Sequence, residues 1–106
     1  MAKFVLLYSG GGMPETEEEN ARVMKAWEDW YASLGAAVLD GGDPFTPEAK
    51  SVASDGTISD GPGSLMASGY TILEAETLDE AAKMATSCPI LQSNGTVSVF
   101  GTIQMG

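Results

Sequence analysis

One carboxylate, Asp60, is the residue that we expect to do acid–base chemistry in this 106-residue chain. It lies in the segment SDGPG at residues 59–63, at the entry to an apolar segment with the composition of a strand. A carboxylate there can act as a general base or bind a polar group of a ligand. The alternative is a turn residue that hydrogen-bonds its own backbone, a common use of aspartate before glycine and proline. We predict Asp60 as the catalytic residue of any reaction that the chain performs.

Three further residues, Tyr8, Trp27 and Asp43, are the ones that we expect to contact a ligand. Tyr8 and Trp27, with the aromatic residues that follow Trp27, can line an apolar cleft between a helix and a sheet. Asp43 lies in a loop at residues 40–45 that is rich in turn-forming residues and carboxylates, and such loops often line sites. Aromatic residues at helical spacing are also typical of core packing, so both interpretations stay open.

Three other patterns do not predict a cofactor, a metal or a nucleophile. Asp40 and Asp43 with Asp60 offer oxygen ligands for a cation, but no calcium-loop spacing is present, and a solvated acidic loop is favoured. The glycine run at residues 10–12 lacks the lysine and the spacing of a phosphate-binding loop, which favours a flexible connector. Cys88 has no histidine or basic cluster to activate it, so we expect it to be packed in the core.

The first half of the chain is predicted to form a strand and a helix that carry the aromatic residues. Residues 4–8 are aromatic or branched and are followed by glycines, which indicates a strand buried on both faces. Thr16 precedes Glu19 by three residues, a capping box that predicts a helix starting at Glu17. Gly35 is expected to end this helix, whose apolar face is Val23, Trp27, Trp30 and Leu34.

The chain after the first helix is predicted to add three strands, a hairpin and a helix. Asp55 followed by Gly56 has the composition of a tight hairpin turn, and Thr77 with Glu80 repeats the capping box. The predicted elements are, in chain order, strand 36–39, a small exposed hairpin turning at 55–56, strand 70–73, helix 78–87 and strand 96–104. The apolar face of this second helix is predicted to be Leu78, Ala81, Ala82 and Ala85.

This order of elements predicts an α+β fold of the ferredoxin-like βαββαβ type. Two split βαβ halves pack most simply as a four-stranded antiparallel sheet with both helices on one face. The first and third strands carry large apolar side chains on both faces, for example Leu6 beside Leu7 and Ile72 beside Leu73. Because an exposed apolar face promotes association, we predict that two sheets pack face to face in a homodimer, a dimeric α+β barrel.

Composition limits the classes of partner. At 106 residues the chain is expected to form a single domain, residues 1–106. Its formal charge of −10 repels phosphate backbones, so we expect no nucleic-acid partner. Its longest apolar run, residues 4–8, is far too short to span a membrane. One cysteine cannot form an intrachain disulfide and the first residues have no long apolar signal core, so the expected compartment is the cytoplasm.

Several segments together resemble the YCII-related family, also called DGPF. They are SDGPG at 59–63, SGYTILEA at 68–75, TLDEA at 77–81, CPIL at 88–91, GTVSV at 95–99 and KFVLLY at 3–8, with the Trp27 and Trp30 helix between them. The resemblance implies a dimeric α+β barrel, in a family most of whose members have no assigned activity. Gly63 stands where the family motif has phenylalanine, and the chain has no histidine for the His–Asp pair credited to the YCII branch.

Two classes of function follow from these observations. The first is a protein that binds a small molecule in a cleft beside the sheet, with weak enzyme activity that depends on carboxylates alone. The alternative is a non-enzymatic dimeric module for regulation or protein interaction, which acts through its acidic surface. A haem site is disfavoured because histidine, a usual ligand of haem iron, is absent from the sequence.

Overall fold

A computed structural model of the chain describes residues 2–11, 15–63 and 65–105. Gly12, the last glycine of the predicted connector, lies outside the described residues. The helices are α1 (Glu17–Leu34) and α2 (Leu78–Ala85), with short 3₁₀ helices at Gly35–Ala37 and Pro89–Ser93. The strands are β1 (Ala2–Ser9), β2 (Val38–Asp40), β3 (Lys50–Val52), β4 (Ile58–Asp60), β5 (Gly69–Ala75) and β6 (Thr96–Gly101). No helix within the described ranges is long and apolar enough to cross a membrane.

The main sheet has four antiparallel strands in the order β2-β5-β1-β6. β1 lies between β5 and β6, so that Leu6 faces Thr71 on one side and Val99 on the other. This is the strand order of a ferredoxin-like fold, in which two βαβ halves interleave their strands in one sheet. The predicted fold class is therefore confirmed, with β3 and β4 added as a separate two-stranded sheet.

The hydrophobic core lies between the helices and one face of this sheet. Phe4, Leu6 and Tyr8 alternate along β1 and are at most 5% exposed. They pack with buried residues of the helices and of β5, among them Trp30, Leu73, Ala81 and Ala85. The expectation of a first strand buried on both faces is not met in the single chain, because Val5 and Leu7 on the other face are only half-buried. Two helices cover one face of the sheet and leave the opposite face open.

Helix α1 begins and ends where its capping signals predict. The Thr16 hydroxyl accepts a hydrogen bond from the Glu19 amide at 3.0 Å, which satisfies one of the free N–H groups of the first turn. In a capping box the Glu19 carboxylate would accept the amide of the cap residue, Thr16. Here it accepts the amide of Glu15, one residue earlier. Gly35 follows the last turn with φ +58°, a conformation that glycine adopts without steric cost. The predicted start at Glu17 and stop at Gly35 are both confirmed.

Other element boundaries differ from the prediction by a few residues. β2 begins at Val38 because residues 35–37 first complete a 3₁₀ turn after α1. α2 ends at Ala85 and β6 ends at Gly101, earlier than expected. Leu78 and Ala82 of α2 are exposed, so its buried face is narrower than the predicted one. The helix touches the core only through its small residues and Met84.

The β3–β4 hairpin turns at Asp55 and Gly56, as predicted. The Asp55 carboxylate accepts the Thr57 amide at 2.9 Å, and Gly56 has φ +90°. The hairpin residues are largely exposed, including Val52 and Ile58. The radius of gyration is 15.3 Å, whereas a compact domain of this length has about 13 Å. The chain is therefore a flat two-layer body, 18 Å in its thinnest direction.

Candidate functional site

Three hydroxyl groups lie close together between α1 and the sheet. Tyr8 is at the end of β1 and Thr71 is in β5, and both side chains point to the helical face. The Tyr8 hydroxyl donates to the Thr71 hydroxyl at 2.6 Å, and Thr71 is completely buried. The Thr71 hydroxyl in turn donates to the backbone carbonyl of Gly41 at 2.9 Å, and the Tyr31 hydroxyl donates to the same carbonyl at 3.0 Å. We call Tyr8, Tyr31, Thr71 and the Gly41 carbonyl the hydroxyl network.

The Gly41 carbonyl is held in place by the turn that follows β2. The Asp40 carboxylate accepts the Gly42 amide at 2.8 Å, which closes a local turn around Gly41. Gly42 has φ +73°, and a Cβ at this position would lie 1.8 Å from the carbonyl oxygen of Tyr70. Only glycine fits there. The turn therefore fixes the acceptor at which two of the hydroxyls meet.

Aromatic rings of α1 form a wall beside the network. Trp27 packs edge-on against Tyr8 with ring centroids 5.3 Å apart, and it lies 5.8 Å from Tyr31. Trp30 is buried and anchors the helix by donating its indole N–H to the Met84 carbonyl at 3.1 Å. Trp27 and Tyr31 are only half-buried. One turn of the helix thus supplies a core anchor and two rings that solvent reaches.

Burial keeps the titratable groups of the cleft in their neutral forms. Desolvation raises the pKa of Tyr8 far above its ordinary value, against a smaller lowering by the hydrogen bond to Thr71. Desolvation also raises the pKa of Tyr31, and the charges of Asp40 and Asp43 raise it further. The Cys88 thiol lies in the same core cluster as Tyr8, and burial raises its pKa. The phenols and the thiol are therefore protonated at neutral pH.

The structure brings together two of the four predicted site residues, Tyr8 and Trp27, which are in ring contact. Asp43 is exposed in the loop after β2, two residues beyond Gly41 of the network. Cys88 is 1% exposed, as expected for a core residue. Tyr8 is buried in the core, whereas Trp27 packs against that core and is partly open to solvent. Ligand contact by the two residues stays a prediction.

Asp60 lies elsewhere, on the β3–β4 hairpin. The sequence placed it at the entry to the third core strand, but residues 61–68 separate it from β5. Its side chain is 91% exposed and forms an ion pair with Lys50 across the hairpin. The two residues line an open groove of about 590 Å³ together with Thr46, Pro47, Glu48, Ala49 and Gly61. The catalytic role of Asp60 stays a prediction. Among the described residues, no hydrogen bond connects Asp60 to the hydroxyl network.

Two residues of the network, Thr71 and Gly41, were not predicted as site residues. Thr71 does carry a signal in the sequence, because it alternates with Leu73 on the buried face of β5 and its hydroxyl needs a partner there. The partner itself is 30 residues away and has no side chain. Within the described ranges, no three acidic or cysteine side chains lie close enough to hold a metal ion.

Comparisons with known proteins give a match in fold. No model of a known protein family matches the sequence, and no curated protein does. The chain is similar in structure to 5-chloro-2-hydroxyhydroquinone dehydrochlorinase from Burkholderia phenoliruptrix, solved in complex with 2,5-dihydroxybenzoquinone. The superposition has a TM-score of 0.56 at 17% identity and covers 97% of this chain and 95% of the dehydrochlorinase chain. The likeness shows a shared fold of the type found in dimeric α+β barrels.

Proposed function

We propose that this chain binds a small organic molecule in the cleft between α1 and the sheet, at the hydroxyl network. The observation that carries the proposal is the convergence of the Tyr31 and Thr71 hydroxyls on the carbonyl of Gly41, with Tyr8 donating to Thr71. Half-buried aromatic rings beside a few fixed polar groups are the usual lining of a small-molecule site. Trp27 and Tyr31 supply the rings, and the network supplies the polar groups.

The hydroxyl network both stabilises the fold and holds polar groups in fixed positions. Leucine and phenylalanine fill a small core without the desolvation that buried hydroxyls require. A buried polar network stabilises a fold only when every member is satisfied, and in the described part of the chain no buried side-chain polar atom lacks a partner. A binding site, in contrast, requires polar groups that are fixed before the ligand arrives. The dehydrochlorinase in complex with 2,5-dihydroxybenzoquinone supports the proposal at the level of fold.

Two finer statements belong to the same proposal. We place the chain in the YCII-related family and in the cytoplasm, on the segments that carry the resemblance and on the single cysteine. Any turnover that uses Asp60 as a general base would take place in the hairpin groove, apart from the hydroxyl network, because the exposed Asp60 carboxylate lies there. Replacing Asp60 by asparagine tests that role: unchanged turnover of a ligand found by screening would contradict it.

We also propose that the protein is a homodimer whose open sheet faces pack together. That face carries half-buried apolar side chains at its centre and exposed ones at its edges: Val5, Leu7, Tyr70, Ile72, Leu39 and Phe100. Light scattering during size-exclusion chromatography should give twice the chain mass. Leu7→Glu should yield monomers, whereas Met24→Glu, on the exposed side of α1, should not. A monomeric wild type at micromolar concentration would refute the packing.

A thermal-shift screen of the purified protein against small hydroxylated and aminated aromatic compounds tests the binding function. A ligand at one hundred times its dissociation constant adds about 2.7 kcal/mol of stability, which raises the Tm of a domain of this size by roughly 10–20 °C. In Tyr31→Phe the shift should be smaller by roughly a third, because fivefold weaker binding leaves the ligand at about twenty times its dissociation constant. Silence across the screen would contradict the proposal and favour the interaction module with its charge of −10.

A further inference from the structure

We infer that the cleft recognises its ligand as a hydrogen-bond donor, so that it takes an aromatic alcohol, phenol or amine and rejects carboxylates and phosphates. This inference rests on the proposed binding function and specifies its ligand class. It follows from the direction of each hydrogen bond around the Gly41 carbonyl and from the charges at the rim of the cleft.

The direction of the bonds is set by the one group that cannot reverse its role. A backbone carbonyl only accepts, so Tyr31 and Thr71 must both donate to Gly41. A hydroxyl carries one proton, and Thr71 has then used its own. Thr71 must therefore accept from Tyr8, which lies 2.6 Å away. Every hydroxyl proton of the network is engaged inside the protein.

The groups that remain available to a ligand are therefore lone pairs. The Tyr31 oxygen, on a half-buried side chain at the mouth of the cleft, can accept but has no proton to offer. The raised pKa values of Tyr8 and Tyr31 keep this arrangement intact at neutral pH, because neither phenol loses its proton. A ligand that brings an O–H or N–H group finds a partner there, and a ligand that only accepts does not.

The charges at the rim favour the same class of ligand. Asp40 immediately precedes Gly41 and accepts the Gly42 amide, Asp43 follows Gly41 by two residues, and both side chains are exposed. Ionised carboxylates are acceptors only. The five basic residues of the sequence all lie outside the network and its aromatic wall: Lys3, Arg22, Lys25, Lys50 and Lys83. An anionic ligand would meet two like charges without a compensating cation. An ammonium group would meet two carboxylates and the faces of Trp27 and Tyr31.

Three probes of equal shape test the inference: 2-phenylethylamine, 2-phenylethanol and phenylacetate. Each is titrated to about 20 mM, the weak range expected for a probe this small, while the backbone amides of residues 41, 42 and 71 are followed by NMR. The amine should bind about tenfold or more tighter than phenylacetate, with the alcohol between them, since carboxylates beside the site attract a cation and repel an anion.

Two variants distinguish the effect of the Asp43 charge from that of the total charge of the protein, which both change by one unit. Asp43→Asn should lower the ratio of amine to alcohol affinity about threefold, whereas Asp79→Asn, in the exposed first turn of α2, should not. Phenylacetate binding at the cleft as tightly as the amine would overturn the inference and leave the proposed function standing. If none of the three probes perturbs the amides of the cleft, the proposed function fails and the inference with it.

Discussion

Replacing Thr71 by valine removes the central hydroxyl of the network and keeps the shape of the side chain. Thr71 is fully buried and joins Tyr8 to Gly41. The variant loses two hydrogen bonds and leaves the buried Tyr8 hydroxyl without a partner, for which the penalty is about 1–3 kcal/mol. We expect a loss of about 2 kcal/mol in the free energy of unfolding. The Tm should fall by roughly 8–16 °C.

Urea unfolding measures this effect. An unchanged m-value would show that the variant and the wild type expose the same surface on unfolding, so that their free energies can be compared. Thr102→Val is the matched control, because its hydroxyl donates to the Lys3 carbonyl at the exposed edge of the sheet, and it should change stability by only about 0.5 kcal/mol. Tyr8→Phe combined with Thr71→Val removes both partners and should cost less than the sum of the single changes. If Thr71→Val were no more destabilising than Thr102→Val, the network would not be a coupled unit.

Three further outcomes are expected. Gly42→Ala should destabilise the protein by more than about 3 kcal/mol, since its Cβ would lie 1.8 Å from a carbonyl oxygen. Gly56→Ala is the control, because a Cβ there meets open space and costs only the backbone strain of about 1 kcal/mol. Equal urea midpoints for the two variants would contradict this. Cys88 should react with iodoacetamide far more slowly in the folded protein than in urea, because burial raises its pKa; equal rates would show an accessible thiol. The folded pKa values of Tyr8 and Tyr31 lie above the unfolded ones, so their contribution to stability is complete below pH about 10 and is lost as the pH rises beyond it. Unfolding curves at pH 8 and at higher pH test the sign, and greater stability at the higher pH would refute it.

The sequence predicted best what depends on neighbouring residues. Thr16 with Glu19 and Thr77 with Glu80 located both helix starts, because a capping box needs only one turn of chain. The Asp55 turn was predicted for the same reason. The four-stranded sheet followed from the order of elements, since few packings of two βαβ halves exist.

The candidate site was predicted only in part because its contacts span the chain. Tyr8 and Thr71 are 63 residues apart, and Tyr31 meets Gly41 through a backbone atom that no residue pattern marks. Asp60 was placed beside the third core strand because the segment 61–68 reads as a short break, whereas the hairpin holds it apart. Local patterns therefore identified the aromatic wall and missed the acceptor on which the network converges.

Mapping the binding surface of the strongest hit of the thermal-shift screen shows directly whether a ligand binds at the hydroxyl network. Titration of the isotope-labelled protein should shift the backbone amides of residues 8, 31, 41 and 71, and Tyr31→Phe should weaken the titration about fivefold or more, the loss expected for one hydrogen bond at a binding site. Shifts confined to the groove around Lys50 and Asp60, with the amides of the hydroxyl network unmoved, would place the ligand on the hairpin and contradict the account.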